Sequence, residues 1–72
     1  MNAEKFLSLT YMQQLKVIND AGKLKKTIVF DNYQYSLYQV GEFYAELKRD
    51  VKELHFEGIK TFAYDDLPFY YK

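Results

Sequence analysis

The rhythm of apolar and polar positions changes near Lys23. Before it, Tyr11, Leu15 and Ile18 recur at i, i+4 and i+7 with Met12 beside them, one face of a helix. Thr10-Tyr11-Met12-Gln13 fits a capping box, in which Thr10 accepts from the third-residue amide and Gln13 reaches back. Gly22 stands where a left-handed residue ends a helix. The spacing predicts a helix over about 11–21 and a looser turn over about 3–8, bringing Phe6 and Leu9 to the same core. After Lys23, aromatic and β-branched side chains take over, as on a pleated, half-buried surface.

Strand register is read by parity, because alternate residues face opposite sides. A two-residue turn at Asp31-Asn32, which tolerate positive φ, pairs Phe30 with Tyr33 and Ile28 with Tyr35. A three-residue loop at Gln39-Val40-Gly41 pairs Leu37 with Phe43, Tyr35 with Ala45 and Tyr33 with Leu47, all on one face. A two-residue turn at Gly41-Glu42 would set Leu37 opposite Glu46, and is rejected for that reason. A turn at Arg49-Asp50-Val51-Lys52 pairs Leu47 with Leu54 and Ala45 with Phe56. It also sets Lys48 across from Glu53 and Glu46 across from His55, each pair worth roughly 0.2–1 kcal/mol. The expected fold is α+β. One domain over 1–72 carries a four-stranded antiparallel meander at about 24–30, 33–38, 42–48 and 53–63. The amino-terminal helix covers one face, with a bulge or bend at Gly58.

Ser36-Leu37-Tyr38, Phe43-Tyr44-Ala45-Glu46-Leu47, Ile59-Lys60-Thr61-Phe62 and Leu67-Pro68-Phe69-Tyr70 carry a resemblance across most of the chain. It resembles short, uncharacterised bacterial proteins with an amino-terminal helix, a tyrosine-rich meander and a Leu-Pro tail. The resemblance implies this fold and transfers no activity.

Composition narrows the classes. The 72 residues include 19% aromatics, and ten basic side chains balance ten acidic ones. That is too aromatic for a disordered segment and too neutral for a generally basic nucleic-acid binder. With no Cys and one His, neither a disulfide scaffold nor a thiolate or multi-His metal centre can be built. A chain of this length buries only about 60% of its unfolded surface, so a marginal monomer and a stabilised oligomer are both open. Glu4 interrupts any positively charged leader, and the longest apolar runs are three residues, so the expected address is the cytoplasm with no membrane span.

Candidate chemistry is sparse. His55 beside Glu46 reads as a surface pair rather than a proton relay, since no nucleophile with a second polar partner accompanies it. Glu42, Glu46, Glu53 and Glu57 read as one solvated face, without an enclosing loop to hold a cation. Asp65-Asp66 read as caps of a short final turn opened by Pro68. Lys23, Lys25 and Lys26 form an edge-strand cluster that blocks edge-to-edge pairing or, with Lys60, contacts nucleic-acid phosphate. Tyr33 and Tyr35 are expected on the covered face with Phe30, Phe43 and Phe56, and Tyr38 and Tyr44 on the acidic open face. No catalytic, cofactor or metal residue is assigned, and no enzyme is expected.

Phe62, Tyr64, Phe69, Tyr70 and Tyr71 exceed what the meander's core face needs. Either they fold back to cap the core or they are partner-binding residues. In the second case the free edge of strand four and this tail bury against a larger protein or a second copy. The leading expectation is a non-catalytic protein-interaction module, with a homodimer as one of its forms. The alternative is an accessory nucleic-acid binder using the Lys23–Lys26 edge.

Overall fold

The computed structural model describes residues 1–53 and 55–72, and the side chains of all of these except residue 56. The position expected for Leu54 and the core placement of the Phe56 side chain therefore lie outside the described residues.

Two helices open the chain. Helix α1 (Ala3–Leu7) is capped by Asn2, whose side chain accepts from the Lys5 amide at 2.8 Å. Helix α2 (Tyr11–Ala21) carries the expected box: Gln13 N donates to Thr10 Oγ1 at 3.2 Å, and Thr10 N to Gln13 Oε1 at 2.9 Å. Gly22 ends α2 in extended rather than left-handed backbone, with φ −81°. Glycine is required there by close approach, since a Cβ would lie 2.6 Å from the Ile18 carbonyl oxygen. The buried stripe of α2 also differs from the one expected. Gln14 Nε2 donates to the Phe6 carbonyl at 3.1 Å, tying α2 to α1. In that orientation Val17 and Ile18 face the core, while Tyr11 and Met12 stay exposed.

Strands β1 (Lys23–Phe30), β2 (Tyr33–Val40), β3 (Phe43–Asp50) and β4 (His55–Ala63) form an antiparallel meander in the order β1-β2-β3-β4. The α+β architecture is as expected, including the form implied by the resemblance. Its first hairpin has the expected register, Phe30 against Tyr33 and Ile28 against Tyr35, with Asp31 at φ 57°. The other two hairpins do not. Val40 pairs with Phe43 and Leu37 with Glu46, so β2 and β3 are joined by the rejected two-residue turn. Gly41 takes its first position at φ 61°, as primed hairpin turns demand. Between β3 and β4, Asp50 pairs with His55 and Leu47 with Ile59, and Glu57 is an extra residue beside Gly58. The bulge falls where Gly58 suggested it, but neither expected charge pair forms, and Glu46 lies across from Lys60. Asp50 closes the turn, its Oδ1 accepting from Lys52 N and Glu53 N at 2.8 and 3.0 Å. Those bonds, the one from Glu53 foremost, hold its carboxyl below the usual range.

The turn at Gly41-Glu42 has a large consequence, because one residue of register exchanges the faces. Val40, Phe43 and Ala45 meet Phe6 and Ile18 of the helices, with the Phe6 and Phe43 rings 5.3 Å apart. Leu37 and Tyr44 point to the opposite face, where they pack with Tyr71, Ile28, Tyr35, Phe62 and Leu67. Strand β3 is buried on both sides from Phe43 through Leu47. The one-face criterion fails because the carboxy-terminal tail covers part of the second face. Phe30 is accordingly 67% exposed rather than core, and Tyr44, expected at the surface, is buried.

Candidate functional site

After β4 the chain reverses, with Asp66 N donating to the Ala63 carbonyl at 3.0 Å. Asp65 and Asp66 therefore belong to this reversal, and they do not cap the final 3₁₀ turn (Phe69–Tyr71), which Pro68 precedes without a side-chain cap. That turn brings Tyr71 down onto Leu37 and Tyr44. Its hydroxyl donates to Glu46 Oε2 at 2.9 Å in a buried contact. Burial first, and then the carboxylate that accepts its hydrogen bond, push the Tyr71 phenol well above the ordinary value. The bond also explains how Glu46 can sit opposite Leu37: a buried carboxylate needs a donor, and the tail supplies one.

The five expected partner-contact residues divide. Tyr71 is buried and Phe62 half-buried, both in the tail-side cluster. Tyr64 is 60% exposed, one ring face stacked on Tyr44 at 5.5 Å and 7°. Tyr70 is half exposed, and Phe69, beside it at 6.0 Å, is the most exposed at 84%.

Tyr70 forms one wall of a cleft of about 390 Å³, lined also by Ile28, Phe30, Tyr35, Glu46 and Lys60. The Tyr70 phenol is raised, chiefly by burial and then by Glu46 and Tyr35. Lys48 flanks the cleft, with Nζ 4.1 Å from the Tyr33 ring centroid and 5.9 Å from that of Tyr35. Parity places both tyrosines under the helix; both are instead on this opposite face, half-buried, because the register differs.

The remaining candidates are scattered. His55 is not beside Glu46: its Nδ1 is 3.5 Å from Glu53 and its Nε2 3.1 Å from Glu57. Glu42, Glu53 and Glu57 are exposed, whereas Glu46 has left the surface. Among the described residues, no group of three or more His, Cys, Asp or Glu is placed to hold a metal ion. Nor, among them, is any helix long and apolar enough to cross a membrane. Lys23, Lys25 and Lys26 are exposed along β1, one edge of the sheet, and Lys60 lies on the opposite edge strand.

Sequence reasoning misses the cleft. Its one signal there is the Leu37–Glu46 juxtaposition, which parity treats as a reason to discard a register. Scans of protein-family models, curated proteins and solved structures found no match to this chain, so its function has to be inferred from its own residues.

Proposed function

We propose that this protein is a small, non-catalytic interaction module that self-associates or docks on a larger protein through its carboxy-terminal aromatics. One observation carries the reading: with Phe62 and Tyr71 used in packing, Tyr64, Phe69 and Tyr70 still present large apolar surface. Phe30, which lines the same cleft as Tyr70, adds to it. Exposed aromatics beside a polar rim are typical of protein interfaces, and β4 offers an unpaired sheet edge close to them in sequence.

Light scattering over a dilution series tests self-association. Phe69→Ala with Tyr64→Ala should lower the average mass while leaving the thermal transition in place, because both side chains are largely exposed. Pull-down from the source cells with and without the same pair of substitutions tests a larger partner. A monomer at every concentration, with no partner lost from the substituted bait, overturns the proposal.

A second reading is favoured by the exposure of Lys23, Lys25 and Lys26 along one edge. As an accessory nucleic-acid binder, the protein would bind single-stranded or duplex oligonucleotides with an affinity that falls steeply with salt. Absence of binding at low salt removes that reading.

A further inference from the structure

Glu46 is only 4% exposed, yet a single contact accounts for one of its oxygens. Oε2 accepts the Tyr71 hydroxyl; among the described residues, Oε1 accepts no hydrogen bond and Glu46 enters no ion pair. The side chain lines the cleft together with Phe30, Tyr35, Tyr70 and Lys60. Oε1 is not a buried, unsatisfied atom; it meets the open space of the cleft, where a carboxylate oxygen attracts a cation. Its surroundings specify the kind. Aromatic faces carry negative potential and attract ammonium groups, most strongly where water is partly excluded. Tyr35 already stands near one: the ammonium of Lys48 lies 5.9 Å from its ring centroid and 4.1 Å from that of Tyr33, just outside the cleft lining. Ile28 completes an apolar lining suited to alkyl substituents, and about 390 Å³ is the size of a small-ligand pocket. Lys60 stands across the ladder from Glu46, but its side chain is exposed and its ammonium is not within ion-pair distance.

We infer that this cleft binds an organic ammonium group, with Glu46 as its counter-charge and Phe30, Tyr35 and Tyr70 as its walls. The group can be borne by a free small molecule or by an alkylated lysine, which present the same chemistry. This site does not depend on self-association, and ligand binding and molecular mass are read separately.

The test is an NMR titration with choline chloride, with the neutral isostere in which carbon replaces nitrogen, and with a peptide containing trimethyllysine. Sodium chloride controls for ionic strength. Choline or the peptide should shift the ring protons of Phe30, Tyr35 and Tyr70 saturably; tighter choline binding identifies a small-molecule site, tighter peptide binding a lysine site. The isostere should bind about tenfold more weakly. Glu46→Gln, which still accepts the Tyr71 hydroxyl, should weaken binding about tenfold. Phe30→Ala should weaken it while leaving the fold intact, since Phe30 is exposed, and Leu24→Ala on the helix side should leave it unchanged. Lys60→Met should strengthen binding by removing a competing cation.

Equal binding of choline and its isostere would reduce the cleft to an apolar crevice and overturn the inference. So would the absence of saturable shifts with both cations, or weaker binding of both by Lys60→Met, since removing a neighbouring positive charge cannot weaken a cation site. If Glu46→Gln fails to fold, Phe30→Ala and the isostere comparison decide the matter.

Discussion

On the helix side of the sheet, Phe6, Ile18, Val40, Phe43 and Ala45 form an apolar layer, all at most 4% exposed. On the tail side, Leu37 and Tyr44 meet Tyr71 around a buried carboxylate, and the layer ends in an open cleft. The first face is closed by two capped helices, tied to each other by the Gln14–Phe6 bond and seated on the sheet by apolar burial. The second is closed by a few residues of 3₁₀ turn, too short to cover it, and held partly by a directional hydrogen bond. A helix-covered face serves stability; an incompletely covered face with aromatic walls and a charge is where recognition is expected.

Substitutions on either side put that contrast to the test. The largest effect belongs to Phe6→Ala, which empties a fully buried site against Phe43. A loss of about 3–5 kcal/mol is expected, enough in so small a domain to abolish the cooperative thermal transition. A residual sharp transition would show that the helix side is not the dominant core.

Next is Tyr71→Phe, which keeps the ring and removes the donor to Glu46. Leaving that carboxylate without its bond should cost about 1–3 kcal/mol by urea denaturation. Adding Glu46→Leu should restore part of the loss, because the unpaired charge goes with it. An unchanged urea midpoint for Tyr71→Phe would mean that packing alone holds the tail.

The same bond predicts alkaline sensitivity. The folded state raises the Tyr71 phenol above its ordinary value of 10.0, so it retains a proton that the unfolded chain releases. Its stabilising contribution is whole below that value and declines as pH rises above it. Urea midpoints should therefore fall between about pH 10 and 11 in the parent and fall less in Tyr71→Phe. Parallel curves would dissociate the phenol from folding.

Gly41→Ala acts on the element that fixes which residues reach which face. At φ 61° an alanine is expected to cost roughly 1–2 kcal/mol by the same measurement. Asp31→Gly, in the equivalent turn of the first hairpin, should be neutral or slightly stabilising. The smallest effect is Phe69→Ser, expected within about 0.5 kcal/mol of the parent despite replacing a phenylalanine. A large loss there would move Phe69 from surface to core.

Much of the fold is legible along the chain. The Thr10–Gln13 box, the Asp31-Asn32 turn and the bulge beside Gly58 are local features, set by hydrogen bonds and backbone preferences within a few residues. The candidate site is less legible. Parity between β2 and β3 assumes that only one face is covered, so Leu37 opposite Glu46 looks like an error. Nothing near Glu46 in sequence discloses that Tyr71, 25 residues on, supplies the missing donor.

Local chemistry is thus enough to set the elements, their order as a meander and the helix caps, because propensity, spacing and turn preferences act over short range. Three-dimensional packing settles the rest. It closes one face and covers the other in part, makes packing residues of Phe62 and Tyr71 but not of Phe69, and sets Glu46 in the lining of a cleft. Those outcomes depend on contacts between residues far apart in the chain, where one residue of register moves a side chain from one face of the sheet to the other.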